Sequence, residues 1–274
     1  MDGKGRLWAG TDKGLYFYSP DKNNFVLFGA ESYFHPVESL AIDETGGVWL
    51  GGHDGLYRID EQLKRIQKVA FDGHRVTSVY AFAQSFYLVT DGLKLQEYQV
   101  QTGEIVEHFV AQKNQLVVDV KVLDEVNILA ATATGLVHVH NGVAKLVFAK
   151  QLENANVIEL GDDDKIWVGT SAGIFRLRGI KSGSPSFDVI HTNIALQQVV
   201  SLHVDAKRLM WIGTLNDGLF LHNLTSNWIT TLSTDTDNAF STLGKSVTAL
   251  TLDAELKLWQ GSSMGAAILD WERS

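Results

Sequence analysis

One pattern recurs along the chain: an apolar residue, Trp, an apolar residue, Gly, a short polar turn, a second Gly, then an apolar residue. Clear copies run Leu7 to Leu15, Val48 to Leu56, Ile166 to Ile174, Met210 to Leu219 (one residue longer) and Leu258 to Ala266. Each is anchored by a Trp and a Gly two residues on: Trp8 and Gly10, Trp49 and Gly51, Trp167 and Gly169, Trp211 and Gly213, Trp259 and Gly261. Two degenerate copies, centred on Tyr87 and Leu129, fill the gap between Trp49 and Trp167. The seven anchors are spaced 41, 38, 42, 38, 44 and 48 residues apart. A period near 40 confines the chain to repeat architectures, in which a unit buries its apolar face only by stacking on its neighbours.

The strand pattern says which repeat. An apolar run precedes the anchors, as at Val37 to Ile42, Val76 to Phe82, Leu116 to Leu123 and Val199 to Val204. An alternating run follows, as at Leu15 to Tyr18 or Leu56 to Ile59, and then a fourth short apolar run such as Phe25 to Phe28. Asn141-Gly142 between two apolar runs predicts a two-residue hairpin, and no segment shows sustained helical periodicity. Four strands per 40 residues is one propeller blade. The expectation is an all-β fold, a β-propeller of four-stranded blades, seven in number. Lettering strands A to D from the axis outward, the chain opens before a B strand and closes after a C strand, so the first and last blades are incomplete. Residues 1–274 are expected to form a single propeller domain that is a fragment of a longer receptor.

The repeat residues have physical roles in this scheme. Trp supplies flat stacking area between blades, and the Gly two positions later leaves room on the same face for a neighbour's side chain. The second Gly ends the B–C turn, where φ is expected to be positive. Asp2, Asp43, Asp205 and Asp253 each stand six residues before a Trp, where a carboxylate is expected to accept turn amides.

The Trp-apolar-Gly-Thr repeat preceded by Asp-x-x-Gly, best seen in Asp43-Glu44-Thr45-Gly46-Gly47-Val48-Trp49-Leu50-Gly51, resembles the two-component regulator propeller family. The resemblance covers nearly the whole chain. It implies the periplasmic sensor portion of a bacterial membrane receptor whose output is a histidine kinase or diguanylate cyclase, and some members sense oligosaccharides. Implied partners are a small extracellular ligand, with a glycan among the candidates, the other domains of the same receptor, and a second copy in a homodimer. The family implies no catalytic motif. If the chain is complete as given, a cytoplasmic location follows instead.

Composition removes other classes. There is no Cys, which excludes a disulfide framework, a thiolate metal site and a Cys nucleophile. With 23 Lys and Arg against 32 Asp and Glu the net charge is −9, so nucleic acid is not an expected partner. No cofactor or metal is expected: His138 and His140 share a strand face with no third ligand in view, and Asp162-Asp163-Asp164 lacks the calcium-loop spacing. No nucleophile-elbow Gly-x-Ser-x-Gly occurs, so no catalytic residue is assigned.

Ligands of propellers meet the face formed by B–C and D–A loops. The candidate ligand-binding residues there are His35, His53, Asp54, His74, Arg75, Asn216 and Asp217, a mixture that suits a sugar or a carboxylate-bearing sugar. The reading is a non-enzymatic sensor domain. The alternatives are a protein-interaction scaffold and a lyase resembling the streptogramin lyases, for which His53, His74 and His191 would be the available bases.

Overall fold

A computed structural model of the protein describes residues 1–29, 36–60, 65–161, 165–190, 198–205, 207–226, 228–232, 244–253 and 255–269. The fold is an all-β, seven-bladed propeller of antiparallel sheets. Blade 1 holds Trp8–Thr11, Gly14–Ser19 and Asn24–Leu27; blade 2 holds Val37–Ile42, Val48–Gly52, Gly55–Asp60 and Arg65–Ala70. Blade 3 holds Val76–Phe82, Ser85–Thr90, Lys94–Gln99 and Ile105–Val110. Blade 4 holds Val117–Asp124, Asn127–Thr132, Gly135–His140 and Val143–Val147. Blade 5 holds Ala155–Leu160, Ile166–Thr170, Gly173–Arg178 and Ser186–Val189. Blade 6 holds Val199–Val204, Leu209–Thr214, Leu219–Asn223 and Trp228–Leu232, and blade 7 holds Ala249–Leu252, Leu258–Ser262 and Gly265–Leu269. Among the described residues blades 1 and 7 have three strands each, B to D and A to C, as the sequence implied. Among the described residues the one helical element is the single turn Pro20–Lys22.

The blades form two compact units, one of residues 1–130 with 138–145, the other of 131–137 with 146–274. In the first, the A strands of blades 2, 3 and 4 pack in succession; in the second, those of blades 5, 6 and 7 do so. The cores lie between blades. Trp8 and Leu15 bury against Val37, Leu50 and Tyr57 of blade 2, and Trp49 and Leu56 against Val76, Val79, Phe86 and Leu88 of blade 3. In the second unit Trp167 and Ile174 meet Val199, Leu202 and Ile212, while Trp211 and Leu219 meet Val247 and Leu258. The Trp49 and Phe86 ring centroids are 4.3 Å apart.

The repeat glycines make this stacking geometrically feasible. A Cβ on Gly10 would lie 2.6 Å from Val37 Cγ1, on Gly51 2.6 Å from the Val76 carbonyl, and on Gly169 2.6 Å from Val199 Cγ1. Those contacts come from the next blade's A strand, as the expected role requires. The B–C turn glycines have positive φ, 119° at Gly14, 130° at Gly173 and 128° at Gly265. Asn141 and Gly142 have φ 49° and 74°, which is the hairpin expected there.

The Asp of the repeat accepts the turn amides, and it does more. Asp43 Oδ1 accepts Thr45 N (3.0 Å) and Gly47 N (2.7 Å), while Oδ2 accepts the Trp49 indole N–H at 2.8 Å. Asp2 holds Trp8 at 2.7 Å and Asp253 holds Trp259 at 2.8 Å in the same way. Burial pulls the Asp43 carboxyl upward, but hydrogen bonds from Thr45, Trp49 and the turn amides outweigh it and hold it below the usual carboxylate range. Asp2 is held low by the same balance: burial raises it, while Trp8, Arg6 and Lys4 donors prevail.

Candidate functional site

The loop end of the first unit is built where D–A loops meet B–C turns. The B–C turn of blade 2 is tight, because Gly52 and Gly55 pair across a two-residue loop. His53 in that loop is exposed to solvent. Asp54 beside it is engaged: it accepts the Tyr57 hydroxyl and, at 2.7 Å, Lys68 Nζ. The Asp54 carbonyl accepts Gly73 N at 3.2 Å, which ties this turn to the D–A loop carrying His74 and Arg75.

His74 and Arg75 are both about half exposed and both paired. His74 Nδ1 lies 2.7 Å from Asp91 Oδ2, whose other oxygen accepts Arg75 N at 3.0 Å. Asp91 N in turn donates to the Arg75 carbonyl at 2.7 Å. Asp91 has φ 55°, a left-handed conformation that Asp tolerates. The Arg75 guanidinium grips Glu38 of blade 2 through two bonds, Nε to Oε1 at 2.9 Å and Nη2 to Oε2 at 3.0 Å. That Glu38 hydrogen bond raises the Arg75 pKa still further, so the group is charged at every relevant pH. His53, Asp54, His74 and Arg75 thus share one region of the first unit, with Glu38 and Asp91 supplying the carboxylates.

Asn216 and Asp217 lie in the second unit. Asn216 Nδ2 donates to Gln198 Oε1 at 2.7 Å, and Asp217 N donates to Thr214 Oγ1 at 3.0 Å within the B–C turn. His35, His191 and Asp162 to Asp164 lie outside the described residues. Glu38 escaped sequence reasoning; its only signal was a charged residue at the second position of an otherwise apolar A strand.

His138 and His140 do share a face, but their common partner is an amide. His138 Nε2 and His140 Nδ1 both lie 2.9 Å from Asn127 Oδ1, and Asn127 Nδ2 donates to Asp124 Oδ1 at 2.8 Å. Burial, with the neighbouring His140 ring, pushes the His138 pKa down and keeps it neutral. Among the described residues no cluster of three or more His, Asp or Glu is placed to hold a metal ion.

No protein-family model matches the chain, and no curated protein matches its sequence. Solved structures do. Two extracellular domains assigned to hybrid two-component systems of B. thetaiotaomicron are similar over 98% of this chain, each with a TM-score of 0.81 and with 16% and 19% identity. The chain spans 38% and 37% of those two proteins' chains, under two fifths of their length. A catalytically inactive virginiamycin B lyase from Staphylococcus aureus, solved with quinupristin, is similar at a TM-score of 0.66 with 16% identity, over 89% of this chain and 86% of that one. The fold is therefore the seven-bladed propeller that also occurs in the extracellular domains of bacterial two-component systems, the architecture the repeat's family resemblance implies.

Proposed function

We propose that the chain is a non-enzymatic sensor propeller of a bacterial two-component or diguanylate cyclase receptor, working outside the cytoplasmic membrane. The observation that carries this reading is the likeness over 98% of the chain to extracellular domains of hybrid two-component systems, joined to a repeat that resembles the same family. The loop end of the first unit is its ligand surface, and the ligand is an oligosaccharide. Exposed His53 and His74, the Arg75 fork and the carboxylates Asp54, Asp91 and Glu38 are oriented donors and acceptors of the kind that read hydroxyl groups. Binding alters the loop contacts of blades 2 and 3 and is passed to the receptor's other domains through domain packing or dimer geometry.

The test is a thermal-shift and calorimetric screen of the protein against a panel of oligosaccharides. One glycan class should raise the melting midpoint, and His53→Ala or Arg75→Ala should remove the shift while leaving the unliganded midpoint nearly unchanged. A shift that survives both substitutions puts the site elsewhere, and the absence of any binding glycan removes the ligand assignment.

A further inference from the structure

Two repeat tryptophans carry an arginine on the strand beside them. Trp49 pairs in register with Arg58 and Trp167 with Arg176, and the guanidinium carbons sit 5.2 and 5.9 Å from the ring centroids. The two blades then differ by one carboxylate. In blade 5 the D-strand residue in register with Arg176 is Asp188, which accepts Arg176 Nη2 at 2.8 Å and Nε at 3.3 Å. In blade 2 that position is Gln67, whose Nε2 turns to Asp60 Oδ2 at 3.2 Å. The carboxylate nearest Arg58 is Asp43, 3.9 Å away and beyond hydrogen-bond reach. Asp43 already accepts the Trp49 indole, two turn amides and the Thr45 hydroxyl. Arg58 is 48% exposed, and among the described residues its guanidinium donates no hydrogen bond. It opens into a groove of about 580 Å³ that is also lined by Lys4, Thr45, Asp60 and Gln67.

We infer that this groove is a binding site for a small carboxylate-bearing ligand, whose carboxylate takes on Arg58 the place that Asp188 takes on Arg176. The cation–π contact with Trp49 holds the fork in position before the ligand arrives, which lowers the ordering cost of binding. Lys4 adds a second positive charge, and the Gln67–Asp60 pair offers a donor and an acceptor to the rest of the ligand. The volume is that of a small-molecule site. The groove lies beside the A–B turn at the Val48 end of the blade 2 B strand, whereas His53 and Asp54 follow its Gly52 end. The site is therefore independent of the loop surface proposed above.

The experiment follows indole N–H resonances of isotopically labelled protein during titration with D-glucuronate and with succinate, with D-glucose as the uncharged counterpart. At least one carboxylate should shift the Trp49 resonance saturably and leave Trp167 in place, and glucose should not. Gln67→Asp installs the blade 5 carboxylate and should weaken binding about tenfold or more with the fold intact. Arg58→Met should remove binding, and Arg75→Ala should not alter it. The inference fails if neither carboxylate shifts Trp49 saturably, or if the shift persists undiminished in Gln67→Asp and Arg58→Met.

Discussion

At the residue scale an Asp–Trp pin accompanies the six-residue spacing in blades 1, 2 and 7, while Asp205 of blade 6 accepts the turn amides of Lys207 and Leu209. Blade 5 shows what loss of the pin does. Gly161 stands where Asp43 stands in blade 2, and the buried Trp167 Nε1 has no partner among the described residues. A Cβ on Gly161 would lie 3.0 Å from that nitrogen, and Gly161 has no positive φ to forbid a side chain. Gly161→Asp should therefore raise stability by about 1 kcal/mol, by satisfying a buried donor and stiffening the unfolded chain. Asp43→Asn should cost about 1–3 kcal/mol through loss of a charged acceptor. Denaturant midpoints of the two variants check both signs, and a destabilised Gly161→Asp would mean the indole cannot yield the space. A related strain sits in the A–B turns. Gly5 and Gly46 take φ 73° and 82°, but the same position holds Arg208 at 63° and Leu256 at 61°. Leu256→Gly should stabilise by up to about 1 kcal/mol, because a left-handed Leu costs that much and its side chain is 43% exposed. An unchanged or lower melting midpoint would refute it. The Asp and its turn were legible from spacing alone. The indole bond was not, because it depends on the Trp rotamer, and neither was the Arg75–Glu38 grip, because residues 37 apart meet only once blades 2 and 3 are packed.

At the element scale the blade is specified by which residues are small. In blade 6 a Cβ on Gly213 would fall 2.1 Å from Ser201 Oγ and 2.6 Å from the Val247 carbonyl. In blade 7 the equivalent Gly261 has Ala249 Cβ at 3.2 Å and nothing nearer than 3.9 Å beyond it. Gly213→Ala should thus cost about 1–3 kcal/mol by overpacking, and Gly261→Ala much less. Equal losses would show that the inner-strand contact is not what selects Gly. The degenerate copies were legible as strands but not in their chemistry. Tyr87 replaces Trp in blade 3, and its acid comes from Glu97 on the C strand, which also accepts Ser85 Oγ at 2.7 Å and lies 3.1 Å from His108 Nε2. Burial, reinforced by Glu97, pushes the Tyr87 hydroxyl up to about 12. An acid moved from turn to neighbouring strand keeps the blade's polar balance while erasing the spacing by which the sequence shows it.

At the scale of the whole molecule, blade number and strand order were readable because every blade solves the same burial problem with the same pattern. The ligand surface was readable only as loop positions, because loops are free of that constraint. The acid response is a property of several groups taken together. The buried Asp2 and the half-buried Asp43 and His138 are held below their ordinary pKa, and all three sit in the first unit. For His138 the unfolded chain takes up the proton first, so stability begins to fall below about pH 6.5 and levels once the folded ring protonates. For Asp2 and Asp43 the contribution is complete above the unfolded value near 3.8 and is lost as pH falls through their lower folded values. In the second unit Asp188 is also held low, by hydrogen bonds from Arg176, but it is exposed and its ion pairs are screened. Acid acting through Asp2, Asp43 and His138 should therefore loosen the first unit before the second. Hydrogen exchange read at successive pH values between 7 and 3, corrected for intrinsic rates, should show Val48–Gly52 losing protection at higher pH than Leu209–Thr214. His138→Gln should remove the first part of that loss and Asp43→Asn the later part. Loss of protection in both strands at the same pH, or in blade 6 first, would mean that acid sensitivity is not set by Asp2, Asp43 and His138.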